Sequence, residues 1–433
     1  MTSSELRQAA QDVLQNNILR FWQTRMVDTK QGGFYGRIDG QNTLHPDAPK
    51  GAVLNARILW TFASAARVLH NTPYRILAAR AYDYLMQRFI DREQGGVYWS
   101  LNADGTPLDT KKQTYAIAFA IYSLAEYVRL TDNQEALEAA IRLFDDIEAH
   151  AFDAVNIGYV EALTRDWQPI ADMRLSEHDE NGSRTMNTHL HVLEAYTNLY
   201  RVLKVQGNNV QCTKERVEQQ LRTLIDIFVN RIYNPENGHL DLFFDDEWNG
   251  RRDKHSPGHD IEAAWLLHEA LDVLGDKELL NRTLLVIHSL AQAAEDSVGV
   301  PRRKRPLSGS VCDGESVAQH GALNERRARS RASVDASDSQ WWCYAEAVVG
   351  YIDQWQLLAE NPKSKIESEI NWQLAEAAYE FISTHLLDRE HGEWYWSVLP
   401  DGTPDTDNDK AGFWKCPYHN SRMCLEIIER LNK

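Results

Sequence analysis

SPGHDIEAAW (Ser256–Trp265) places His259 at the start of an apolar helical pattern, with Glu262 three residues on. At that spacing the two share a helix face, so the carboxylate is expected to hold the imidazole in one tautomer. A helix-start histidine beside an acid in an otherwise apolar helix reads better as acid/base machinery than as a cap or core residue. FWKCPYHNSRMCLE (Phe413–Glu426) carries a second histidine, His419, just behind a turn set by Pro417, with Trp414 nearby. Alone it would read as a surface histidine. Paired with His259 at one end of a fold, it reads as a second acid/base group. Imidazoles with an ordinary pKa of ~6.5 suit proton removal and return near neutral pH.

Further polar residues open other apolar segments. MNTHLHVLEAY (Met186–Tyr196) puts Asn187 and His191 at i,i+4, on one helix face, as substrate hydrogen-bonders. His191 joins His259 and His419 in the expected catalytic set, as a donor to a developing oxyanion. His189 and His191 resemble an HxH metal pair. On a helix, though, residues two apart point ~200° apart, so His189 is expected to be packed and no metal is expected. SQWWCYAEAVVGY (Ser339–Tyr351) offers Trp342 as a platform and Glu346 as a grip for hydroxyls, with Trp341 pointing elsewhere. Arg57, in VLNARILW, is polar within an apolar helix and is either buried and paired or lines a cavity. Tyr115 opens another apolar helix, and its hydroxyl would face the same mouth. Asp405, Asp407 and Asp409 alternate in a loop without the spacing of an EF-hand. No phosphate loop, dinucleotide fingerprint, GxSxG elbow or HExxH is present.

What positions these residues is a repeat. GGVYWSLNADGTP (Gly95–Pro107) and GEWYWSVLPDGTP (Gly392–Pro404) are nearly the same phrase. Looser versions are GGFYGRIDG (Gly32–Gly40), IGYVEALTRDWQP (Ile157–Pro169), GHLDLFFDDEWNG (Gly238–Gly250) and, weakest, GALNERR (Gly321–Arg327). Each reads as a short hairpin: glycine, alternating apolar and polar residues, then a turn. The starts near 32, 95, 158, 238, 321 and 392 leave room for two helices in each interval. The helix before each hairpin is amphipathic, as in Leu6–Arg25, Ala136–His150 and Asn371–Leu387. The helix after it is apolar nearly all round, as in Tyr115–Tyr127 and Ile261–Leu274, and therefore buried. Six such pairs predict one all-α domain over residues 1–433, an (α/α)6 barrel of twelve helices with hairpins at one end. All six inner helices then begin at that end, where their first turns should converge on one cavity.

Composition narrows the partners. The chain has 433 residues, 43% apolar and 25% charged, with 63 acids against 46 bases. A net charge of −17 argues against nucleic-acid or anionic-membrane binding. The N-terminal sequence lacks the apolar core of a secretory signal, and no apolar run reaches the ~20 residues of a membrane span. Five cysteines without a CxxC pair read as reduced thiols, so a cytoplasmic location is expected. One segment, Val300–Ala332, holds eight basic residues against three acids. It reads as a solvated loop, as a lid or anion contact over the cavity, or as a stretch locally out of frame.

GHDIEAAWLL, MNTHLHVLEAY, WWCYAEAVVGY and WKCPYH together resemble the N-acylglucosamine 2-epimerase superfamily, most closely its branch acting on β-1,4-linked disaccharides. The similarity runs from the first helix to the last; the segment around 301–320 departs from it. The resemblance implies 2-epimerisation of a reducing-end glucose, in cellobiose or lactose, to mannose. It places the catalytic histidines on His259 and His419, and substrate contacts on Arg57, Tyr115, Asn187, His191, Glu262, Trp342, Glu346 and Trp414. It implies no cofactor, a small-molecule disaccharide as partner, and a monomer or weak homodimer. The residues suit the chemistry independently. Ring opening acidifies C2–H, its loss gives an enediolate, and two acid/base groups on opposite faces can invert the centre. An aldose–ketose isomerase, an N-acylglucosamine epimerase, a non-catalytic sugar-binding barrel and a two-carboxylate glycosidase are the alternatives.

Overall fold

Short turns and long excursions alternate along the chain, and that alternation sets the architecture. The computed structural model describes residues 1–177, 179–207, 210–250, 254–295, 340–359 and 361–432. Among the described residues are twelve long helices. In chain order they are α1 (3–25), α2 (Ala52–Leu69), α3 (72–89), α4 (Thr114–Thr131), α5 (Gln134–His150) and α6 (Met186–Leu203). They continue with α7 (211–232), α8 (Pro257–Leu274), α9 (Lys277–Glu295), α10 (Trp341–Ala359), α11 (365–386) and α12 (His419–Arg430). The segment Val300–Ala332 and the GALNERR phrase lie outside the described residues.

The even-numbered helices form a closed ring: α2 packs on α4, α4 on α6, α6 on α8, α8 on α10, α10 on α12, and α12 back on α2. Each odd-numbered helix lies outside an inner one, α1 on α12 and α3 on α2 through to α11 on α10. This is the (α/α)6 barrel that the repeat predicts. The hydrophobic pattern explains the sorting. α4 is buried at every position from Thr114 to Val128, whereas α5 buries a stripe of Ala136, Leu137, Ala139, Ala140, Leu143, Phe144 and Ile147. A helix apolar on all sides gains only from a central position. No helix among the described residues is long and apolar enough to cross a membrane. None of the four described cysteines is in a disulfide.

Passage from an inner helix to the next outer one takes two residues at His70–Asn71, Asp132–Asn133 and Gly275–Asp276. His70, Asp132 and Gly275 adopt positive φ and end their helices; Asn71 and Asn133 then cap the next helix by accepting the Tyr74 and Ala136 amides. Among the described residues, passage from outer to inner takes the hairpins, so these long excursions collect at the end where the inner helices begin. There, the extended residues before one inner helix pair with the next hairpin: Lys50 with Leu101, Gln113 with Ala162, Thr185 with Phe243, and Gln340 with Ser397. Ile38 with Ala411 joins the last repeat to the first.

A buried ion pair recurs in this layer. Asp28 and Asp91 each accept backbone amides two and three residues ahead and receive Lys50 Nζ and Lys112 Nζ, both at 2.8 Å. Asp388 repeats the arrangement with Lys410. Burial works against the Asp28 and Asp91 carboxylates, but these donors, joined at Asp91 by the Arg165 guanidinium, hold both below the usual range. The pins fix these three hairpins to the chain that enters α2, α4 and α12, and hence help fix where the functional side chains emerge.

Candidate active site

All six inner helices contribute to one buried polar cluster at their N-terminal end: Arg57 from α2, Tyr115 from α4, His191 and Glu194 from α6, His259 and Glu262 from α8, Trp342 and Glu346 from α10, and His419 and Arg422 from α12. Arg57 Nη2 donates to the Tyr115 hydroxyl at 2.9 Å, and Nη1 approaches Cys416 Sγ at 3.6 Å. Its guanidinium lies 4.2 Å from the Phe119 ring centre and 4.6 Å from that of Tyr418. It makes no ion pair among the described residues, and its Nε has no hydrogen-bond partner. The edge of Tyr115 meets the His191 ring, 4.9 Å between centres. His191 Nδ1 is 2.9 Å from Glu194 Oε2. The other Glu194 oxygen accepts from Tyr418 and from Arg422 Nη1.

Arg422 Nη2 turns to two further carboxylates, Glu262 Oε1 at 2.5 Å and Glu346 Oε1 at 2.7 Å. Glu346 Oε1 also lies 2.7 Å from His419 Nδ1, and Oε2 accepts the Trp265 indole N–H at 3.0 Å. Burial pushes the Glu346 carboxyl up and the Arg422 charge beside it pulls the other way; as a carboxylate it accepts the Trp265 indole and a proton held on His419 Nδ1. Neutral His419 and His191 therefore carry their proton on Nδ1 and a lone pair on Nε2, and neither Nε2 has a partner among the described residues. Trp342 packs against both of the other histidines, its ring centre 4.6 Å from that of His259 and 5.8 Å from that of His419. Asn187 lines a cavity of about 170 Å³ with Glu161, Thr185, Ser256 and His259, and its buried Oδ1 is unpartnered. Trp414 packs against Trp99 and Phe413, meets Tyr115 edge-on, and borders a second cavity of about 250 Å³ with Trp396.

Burial dominates the electrostatics. It pushes His259 down to about 4. It also holds His419 well below the ordinary value, although Glu262 pulls the other way, and lowers His191 against Glu194. All three are neutral imidazoles at pH 7. Glu194 shows the opposite balance: burial would raise it, but Arg422 and His191 bring it to about 2. Glu262, Glu346 and His419 bring three potential metal ligands within 4.8 Å of one another. Arg422 Nη2 already stands at two of them, so a metal ion would have to compete with a fixed guanidinium charge.

A family model described as N-acylglucosamine 2-epimerase (GlcNAc 2-epimerase) matches residues 33–422. The chain belongs to that family. A cellobiose 2-epimerase of Bacteroides fragilis is 48% identical over 423 residues, 98% of each chain. A cellobiose 2-epimerase of Ruminococcus albus is 38% identical over 431 residues, 99% of each. The solved cellobiose 2-epimerase of Bacillus thermoamylovorans B4167 superposes with a TM-score of 0.82 at 35% identity, covering 99% of this chain and 100% of that one.

Within this epimerase the structure departs from the sequence reading at two points. Glu262 does not hold His259. His259 Nδ1 meets the Ser256 hydroxyl at 2.6 Å, because Ser256 stands just ahead of the helix, while Glu262 turns to Arg422. The i,i+3 pair that does form is His191–Glu194, at the same spacing on a different helix. Glu346 is fully buried with both oxygens engaged, so it holds His419 rather than presenting a grip for hydroxyls. His189 is packed as expected: Nδ1 meets Thr185 O at 2.7 Å and Nε2 accepts the Tyr159 amide at 3.0 Å. Sequence reasoning passed over Arg422, Glu194, Tyr418 and Ser256. Two of them had a signal: Arg422 follows His419 by three residues, and Glu194 follows His191 by three.

Proposed function

We propose that this enzyme inverts C2 of the reducing-end glucose of a β-1,4-linked disaccharide such as cellobiose or lactose, giving the mannose epimer, without cofactor or metal. The observation that carries the reading is that His259 and His419, from different inner helices, both pack on Trp342, both neutral and both tied to the protein through Nδ1. After ring opening, Nε2 of one imidazole takes the C2 proton and becomes imidazolium. The resulting enediolate is reprotonated on its other face by the second histidine, whose Nε2 has first taken up a proton from solvent, while the first histidine keeps the proton taken from C2. Exchange with water then resets the pair. Each positioned group is expected to supply ~10²–10⁴-fold.

Arg57 supports the intermediate. A buried guanidinium without a carboxylate partner keeps its positive charge available, and the adjacent Tyr115 hydroxyl adds a donor. A developing oxyanion beside them would meet charge that needs no reorganisation. His191, with its proton on Nδ1 toward Glu194, offers Nε2 as an acceptor for a sugar hydroxyl rather than as the oxyanion donor read from sequence. Asn187 and the faces of Trp342 and Trp414 supply the remaining contacts.

The deciding experiment is incubation with cellobiose or lactose in D₂O, followed by proton NMR. A mannose-terminated product with deuterium at C2 is expected. A ketose product would move the assignment to an aldose–ketose isomerase. Sugar binding without exchange or turnover would mark a non-catalytic barrel.

A further inference from the structure

Arg422 is fully buried, and the proton transfers above make no use of it. Its two terminal nitrogens serve different histidines. Nη1 donates to Glu194, whose other oxygen meets His191 Nδ1 at 2.9 Å. Nη2 donates to Glu262 and forms an ion pair with Glu346 Oε1 at 2.7 Å, and the same Glu346 oxygen meets His419 Nδ1 at 2.7 Å. One planar fork thus lies behind two imidazoles on different helices, on the side away from each free Nε2.

The fork matters because of what its carboxylates would do without it. A buried carboxyl that loses its counter-charge is driven toward the neutral acid, which is a donor. A donor beside Nδ1 takes its lone pair and sends the imidazole proton to Nε2, where the ring can no longer accept a proton or a hydroxyl. Arginine suits the task because its charge is never lost and its geometry holds two carboxylates at once; lysine offers a point charge.

We propose that Arg422 is a positioning residue that sets the tautomers of His191 and His419 together, keeping each proton on Nδ1 and each lone pair on Nε2. The inference rests on the reading that these imidazoles act on substrate. His259 is bound to the Ser256 hydroxyl, outside the fork, and serves as the internal control.

The test uses full-length protein with ¹⁵N-labelled histidine: wild type, Arg422→Lys and Glu194→Gln. Nitrogen NMR at pH 7 reads which ring nitrogen carries the proton, and kinetics on cellobiose read kcat and KM separately. Wild type is expected to show Nδ1–H at His191 and His419. Arg422→Lys should mix tautomers at both while leaving His259 unchanged. Its kcat should fall ~100-fold with KM changed less than about threefold. Glu194→Gln should disturb His191 alone. Arg422→Lys retaining both tautomers, or losing kcat with tautomers intact, overturns the proposal. If that variant does not fold, an undisturbed His191 in Glu194→Gln overturns it. Wild-type protein that shows the expected tautomers but leaves cellobiose unchanged would sink the epimerase reading and not this one.

Discussion

The two ends of the barrel treat buried charge differently. In the C-terminal halves of the inner helices, arginines and acids close on one another. Arg67 and Arg129 both reach Glu126, at 2.8 and 2.7 Å; Arg201 meets Glu269 at 2.7 Å; Arg430 joins Asp353 and Glu426, each at 2.8 Å. Every arginine in this group has a carboxylate. At the other end, Arg422 holds three carboxylates and Arg57 holds none. Pairing at the first end offsets the desolvation of each ion. At the second end, three acids gather on Arg422, two of them also holding histidines, and Arg57 stands without a carboxylate. An unbalanced buried charge is tolerable where a reaction will develop the opposite charge, and the same fold supplies a supporting end and a reactive one.

That contrast can be broken, most sharply at the histidines. His259→Ala and His419→Ala should each lower kcat by ~10²–10⁴-fold with circular dichroism and Tm near wild type. Near-normal activity in either would remove the two-base scheme and with it the reactive character of that end. Next, Arg57→Met should lose ~10²–10³-fold in kcat with little change in stability, since no carboxylate is abandoned. Arg430→Met should do the reverse, leaving kcat in place and costing ~3–5 kcal/mol in denaturant unfolding, because Asp353 and Glu426 lose their arginine. Equal patterns in the two variants would erase the distinction.

Glu161 allows a finer test. It accepts the Thr185 amide and the hydroxyls of Thr185 and Thr188, with no cation among these partners, and burial raises it to about 7. A carboxyl raised on folding contributes stability that is complete below its unfolded value of ~4.5 and lost as pH rises through 7. Wild type should therefore lose about 3 kcal/mol relative to Glu161→Gln between pH 4.5 and 7, read from unfolding midpoints. A flat difference would mean that the start of α6 stabilises the carboxylate after all. The smallest expected effect is that of a chelator, which should leave turnover unchanged. Loss of activity restored by added metal would show that an ion displaces Arg422 from Glu262 and Glu346.

Much of this was legible along the chain. The hairpin phrases and the alternation of striped and wholly apolar helices encode the barrel, because hydrophobic period and turn chemistry are local properties. The convergence of Arg57, Tyr115, His191, His259, Trp342 and His419 follows from them, since six inner helices that start at one end must bring their first turns together. Partnership was not legible. His259 and Glu262 have a spacing that permits a bond, as do His191 and Glu194, yet only the second pair forms. The choice depends on Arg422, which draws Glu262, Glu346 and Glu194 from three different helices to one guanidinium. Sequence by itself determined the helices, their sorting and the end at which the chemistry gathers. Only the tertiary structure decided which acid serves which base, because in a low-dielectric interior a carboxylate goes to the nearest fixed cation, and that cation arrives from the far end of the chain.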